Sequence, residues 1–240
     1  MDLEGLFQGS VILAGGSPVL LEEKNLGRLN EPGIMVASLN NTASIVPSDI
    51  WICGDKPKCY SARLVRDPKL MKFAGIGRRN ILAADYIDWK FIPNTYFYGT
   101  TDKYYNTNNF LHDHRDLVWW KNTFYIAIQI LYRLGFRKIY LAGCQFKLGK
   151  KHYAYNITLD KDEVAWNTRT YNSVIGKMAS LKPTFDKKGL EIISCTPGSP
   201  LNALYPSCSL DDAVEEILSD FPKEYDLEKC VHSSFFKKEK

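Results

Sequence analysis

The stretch "SVILAGGSPVLLEE" (residues 10–23) starts as a short, mostly apolar run, turns at Gly15-Gly16-Ser17-Pro18 and continues with helix-forming residues. A strand, a glycine turn and a helix in that order open a βαβ unit, and such turns commonly hold a phosphate. This turn is not one of the two best-known phosphate fingerprints. It lacks G-x-G-x-x-G, and G-x-x-x-x-G-K-[ST] occurs nowhere in the chain, which argues against an ordinary dehydrogenase or a P-loop kinase.

Similar runs recur at "GIMVASL" (33–39), "DIWICG" (49–54), "KIYLAG" (138–143) and "LEIISC" (190–195). They are short and nearly continuous rather than alternating, as strands covered on both faces are. Helical patterns lie between them: "LVWWKNTFYIAIQILYRLGF" (117–136), stopping at Gly135, then roughly 163–182, then "SLDDAVEEILSDF" (209–221) with Ser209 and Asp212 as a capping pair. This alternation predicts an α/β fold, a Rossmann-like, mainly parallel sheet with helices on both faces. The 240 residues are expected to form a single domain. The Tyr-, Asn- and Asp-rich segment 77–116 breaks the rhythm and reads as a loop-rich lid insertion contributing to an acceptor side.

Bulk properties narrow the class. A hydrophobic content of 45% and a charged content of 24% are those of a soluble globular chain. No apolar run suits a membrane span, and "MDLEGLFQG" lacks the features of a signal peptide, so a cytoplasmic protein is expected. The six cysteines are scattered without C-x-x-C and read as reduced packing residues. A net charge of +4 permits an anionic partner without requiring one.

The small and polar residues that follow each strand carry more information than any one motif. They are Gly15 to Pro18, then Asn40, Asn41 and Thr42, then Gly54 and Asp55, then Gly143, Cys144 and Gln145, and last Thr196 to Ser199. In an open parallel sheet all C-terminal strand ends point to one edge, where ligands bind. Each corner also has a purely structural reading. Gly15 and Gly16 turn the chain. Ser17 caps a helix with Pro18 at its first position, which leaves backbone amides aimed outward. Asn41 is a turn residue, Asp55 a loop cap, and Gly143 a point of close approach.

On these residues the chain resembles the bacterial sialyltransferase family that includes the Campylobacter lipooligosaccharide enzymes. "VILAGGSPVLLEE" is similar to its strand followed by G-x-G-P-S-L, and "WWKNTFYIAIQILYRLGFRKIYLAGCQF" (119–146) to its helix ending in Leu-Gly-Tyr/Phe before a strand. "HYAYN" (152–156) and "CTPGSPLNALYP" (195–206) are similar to its Tyr-Ala-Phe and C-P-x-S-x-L. The scaffold looks shared with motility-accessory glycosyltransferases and an archaeal pterin diphosphokinase. Uncharacterised phage-encoded members look nearest, through "DIWICGDKP", "KNTF" and the spacing of Trp166, Asn167 and Tyr171.

The resemblance implies a nucleotide-sugar donor held by Gly15, Gly16, Ser17, Pro18, Asn41, Thr123, Tyr153 and Ser199, the strand-end residues Gly143 and Gln145 are expected beside it, and no cofactor is expected to be required. Three departures stand out. The turn lacks the second glycine and the later serine of the pattern, Gln145 replaces an aspartate, and no histidine lies between His152 and His232, where the family carries its catalytic one. Nucleotide-sugar transfer at large is therefore implied rather than sialyl transfer in particular.

Such transfer needs a stabilised leaving phosphate and a base for the acceptor hydroxyl. Asp55 and His152 are the expected catalytic residues. His112, His114, Arg115, Trp119, Trp120 and Arg169 are expected on the acceptor side, where aromatic and basic residues mix. "HDHRD" (112–116) contains two His and two Asp but no assignable third ligand, so no metal is assigned. A hydroxymethylated base in phage DNA is one acceptor the reading allows. Two alternatives stay open: a Mg-dependent diphosphokinase-like transferase, and a non-catalytic nucleotide- or nucleic-acid-binding module.

Overall fold

The computed structural model describes residues 3–55, 59–78, 88–101, 107–111 and 116–220. Among them, eight strands form one sheet: β1 (Ser10–Ala14), β2 (Val36–Leu39), β3 (Ile50–Cys53), β4 (Met71–Gly75), β5 (Thr95–Thr101), β6 (Asp116–Val118), β7 (Lys138–Ala142) and β8 (Glu191–Ser194). The order is β6-β5-β4-β3-β2-β1-β7-β8 and every pairing is parallel. The expected Rossmann-like α/β architecture is the one observed. The chain lays strands to one side of β1 as far as β6, then returns to place β7 on the other side. β1 and β7 therefore flank the point where strand order reverses, and the crevice of such a sheet opens there.

The near-continuous apolar runs follow from cover on both faces. Val11 and Leu13 pack into the core beneath α2 (Thr123–Leu134) and α3 (Lys161–Lys187), while Ile12 and Ala14 face the core under α4 (Leu210–Ser219). A third cluster joins Trp51 and Cys53 to α1 (Ala62–Arg66) and Trp89. Ten of the 12 residues of α2 are buried, so this helix lies inside the molecule rather than on it. It stops at Gly135, whose φ of 111° is the left-handed cap expected there. Ser209 and Asp212 form the expected capping box on α4.

Four expectations are corrected. The helix expected over 117–136 begins only at Thr123; Leu117 and Val118 belong to β6, and the Asn122 side chain caps the helix by accepting from the Phe124 amide. Gln129 holds the two together, accepting from the Val118 amide (2.9 Å) and donating to the Val118 carbonyl (3.1 Å). Segment 77–116 is not wholly an excursion, because β5 pairs along β4 within it. β4 escaped notice because "MKFAG" carries a lysine at its centre. Lys72 is fully buried, and its ammonium donates to the carbonyls of Asp67, Leu70 (2.9 Å) and Pro93 (3.1 Å). Burial lowers its pKa, and three acceptors satisfy its three protons. The third helix is longer than expected, because a capping box of Asp160 and Glu163 starts it at Lys161. Finally, the opening turn leads into two five-residue 3₁₀ segments, Pro18–Glu22 and Leu26–Asn30, rather than a full α-helix.

Candidate functional site: a cleft at the strand reversal

The β1 and β7 corners touch. Gly15 donates its amide to Ala142 (2.7 Å) and Ser17 donates its amide to Gly143 (3.0 Å). A Cβ on Gly15 would lie 2.6 Å from the Gly143 carbonyl oxygen, and one on Gly143 (φ 63°) would lie 2.6 Å from the Gly15 oxygen. These glycines allow two backbones to approach closely. Two of the turn's amides are thus bonded to β7 rather than fanned outward. The Ser17 hydroxyl donates to the Gln145 side-chain oxygen (3.3 Å) instead of capping the 3₁₀ segment. Gly16 lies against the ring of Tyr155, and its carbonyl accepts from the Ala154 amide (2.9 Å).

Next to this pair, β2 ends at Asn40, whose φ of 48° is left-handed. Its side-chain oxygen accepts from the Gly54 amide (2.8 Å) and from the Tyr60 hydroxyl (2.9 Å), and the Asp55 amide donates to Tyr60 Oη (2.8 Å). Gly54 packs on Thr123 at the N-terminus of α2; a Cβ there would sit 1.9 Å from Thr123 Oγ1. The positive end of α2 therefore opens where the β3 corner ends.

These corners enclose a cavity of about 1190 Å³. One wall is aromatic. Tyr153 and Tyr155 stack at 5.1 Å, and the Tyr153 and Tyr171 hydroxyls lie 3.3 Å apart. Phe146 (φ 52°) bridges Tyr171 and Phe124 edge-on. Burial lowers the acidity of all three phenols relative to free tyrosine, and the negative charge of Asp55 adds to the effect on Tyr153 and Tyr155. Across neutral pH they are protonated donors. Lys121, Lys147 and Arg169 also line the cavity and form no ion pair with the described residues. Lys121, itself left-handed (φ 59°), holds its ammonium 5.3 Å from the ring centre of Trp166, which is 46% exposed.

Gly15, Gly16, Ser17, Asn41, Asp55 and Thr123 line this cavity, and so do Gly143, Gln145, His152, Tyr153, Trp119 and Arg169. Pro18 and Trp120 lie outside its lining. Ser199 does too: it is buried, donates its hydroxyl to the Cys144 carbonyl (2.9 Å) and caps Pro200–Ala203. The fifth corner supports the fourth from behind, because a hydroxyl at that position serves the adjacent backbone. His112, His114 and Arg115 lie outside the described residues. Asn40 is marked in the sequence as a corner residue, but the contact role is expected of its neighbour Asn41; the roles of Tyr155 and of the Lys121–Trp166 contact are not legible there.

Fold and site together define an α/β protein with an open polar cleft at the strand reversal of a parallel sheet. No protein-family model and no curated protein matches the chain. Among solved structures it is similar to the sialyltransferase CstII from Campylobacter jejuni in complex with a substrate analogue, cytidine-5'-monophosphate (14% identity, TM-score 0.49, 82% of this chain and 84% of that chain). It is also similar to a tyrosine-to-phenylalanine variant of sialyltransferase CST-II in complex with CMP (13% identity, TM-score 0.46, the same coverage of 82% and 84%).

Proposed function

We propose that the protein is a nucleotide-sugar-dependent glycosyltransferase that moves a sugar to a hydroxyl acceptor. The observation that carries this reading is the meeting of four strand ends and the N-terminus of α2 in one cleft, with Asp55 facing neutral phenols. The donor phosphate sits between the positive end of α2, the Tyr153 and Tyr171 hydroxyls and the cations Lys121, Lys147 and Arg169. The acceptor oxygen attacks the anomeric carbon. The bond from that carbon to the phosphate oxygen breaks, and the nucleotide leaves with both electrons. The acceptor proton passes to Asp55, with His152 the second base within the same lining.

The rim of Trp119, Trp166 and Lys121 is the acceptor side. A hydroxymethylated base in DNA and a sugar ring of a glycan both suit an aromatic, cationic rim. Affinity that falls steeply with salt selects DNA.

The test is a thermal-shift panel of CMP-N-acetylneuraminate, UDP-glucose and GDP-mannose, with nucleotide release then followed for those that bind. A specific rise in Tm and turnover that is lost in Asp55→Asn support the reading. No shift with any of the three, or full turnover in Asp55→Asn, refutes it.

A further inference from the structure

We infer that Asn40 is a positioning residue for the base, fixing the corner from which Asp55 enters the cleft. The inference rests on the assignment of Asp55 above and adds the device that orients it. The amides of the two residues at this corner both terminate on Asn40. Gly54 donates to Oδ1 directly, at 2.8 Å, and Asp55 donates to Tyr60 Oη, whose own proton goes to the same Oδ1 at 2.9 Å.

Oδ1 thus receives two hydrogen bonds, as many as a carbonyl oxygen's lone pairs accept. Tyr60 is buried, set edge-on to Trp51 at 4.8 Å, and burial keeps its hydroxyl protonated, so this link does not open by titration near neutral pH. The Asn40 carbonyl accepts from Trp51 Nε1 at 2.7 Å, which anchors the residue by its backbone as well.

The left-handed backbone of Asn40 shows that the corner is built for this contact. Side-chain-bearing residues adopt a φ of 48° rarely, and asparagine is among those that tolerate it best. The conformation places a short amide where it spans from the end of β2 to the end of β3. The backbone of this corner sets where the Asp55 side chain starts, and misplacement of a base by about 1 Å lowers turnover on the order of 100-fold.

Asn40→Gly is the informative deletion, because glycine accepts the same φ and keeps the Trp51 bond while removing Oδ1. The expected result is kcat lower by about 10- to 100-fold with KM for the active nucleotide sugar unchanged within about twofold. Asn40→Asp keeps two acceptor bonds and adds a negative charge near Asp55. It is expected to restore kcat on the alkaline side and to move the acid limb of the pH–rate profile up by about one unit.

Amide exchange measured by NMR supplies a readout independent of turnover. Gly54 and Asp55 exchange faster in Asn40→Gly while β1 and β7 amides are unchanged. Unchanged exchange at both residues overturns the inference. So does a rise in KM with kcat intact, which marks Asn40 as a ligand contact instead. If Asp55→Asn is inactive and Asn40→Gly turns over normally, the inference falls and the function stands. If Asp55→Asn is fully active, both fall.

Discussion

Gly15→Ala probes the close approach of the β1 and β7 ends on which the cleft depends. The new Cβ would lie 2.6 Å from the Gly143 oxygen and 2.8 Å from Cys144 Sγ, whereas ordinary contact begins at 3.4 Å. The carbonyl cannot rotate away, since it accepts from Ser17 (3.0 Å) and Gly143 already occupies a left-handed φ of 63°. Relief requires β1 and β7 to part at their ends, stretching the bonds from Gly15 to Ala142 and from Ser17 to Gly143. Overpacking of this kind costs about 1–3 kcal/mol, and each hydrogen bond is worth about 1 kcal/mol. A loss of about 3–5 kcal/mol follows, which at this chain length lowers Tm by roughly 6–20 °C. Urea unfolding followed by far-UV circular dichroism measures it. Gly176→Ala is the contrast: nothing lies within 4 Å of its Cβ in α3, and it is expected to stabilise by about 0.5–1 kcal/mol. Gly15→Ala within about 0.5 kcal/mol of the parent would refute the packing account of the turn.

Gln129→Leu leaves the Val118 amide and carbonyl without their side-chain partner in a buried place, and is expected to cost about 2–4 kcal/mol in urea unfolding. Tyr125, Tyr155 and Tyr171 have their pKa values raised by burial, so each phenol loses its proton more readily unfolded than folded. The stability they contribute is intact below pH ~10 and declines above it; Tyr171→Phe should flatten that decline by up to about 1.4 kcal/mol per pH unit, as read by unfolding at stepped alkaline pH. Cys59 is exposed and lines the cleft, whereas burial pushes the Cys144 thiol up to about 12. Iodoacetamide should therefore label Cys59 before Cys53, Cys144 and Cys195, and a nucleotide sugar bound in the cleft should slow that labelling, as mass spectrometry would show.

Legibility along the chain followed burial. β1, β2, β3, β7 and β8 were readable because both faces of each are covered, which forces continuous apolar runs into the sequence. β4 was unreadable because its buried Lys72 is satisfied by hydrogen bonds to the carbonyls of Asp67, Leu70 and Pro93, which no local pattern announces. β6 was absorbed into the helix after it, since "LVWW" suits either state and only the Asn122 cap and the Gln129 tether decide between them. In the cleft, glycines and polar residues after strands marked the right edge of the sheet. Their individual roles were not visible, because Gly15 is shaped by Gly143, Ser199 by Cys144, and Asp55 by Asn40 through Tyr60.

Fold class and the existence of a polar edge were thus written into the chain locally, because strand burial, turn residues and helix caps act over a few positions. Which corner residue faces the cleft and which merely holds its neighbour was settled by contacts between segments far apart in the chain. Ser17 and Gln145 meet across 128 positions, and a hydrogen bond formed at that separation leaves no periodic trace at either end.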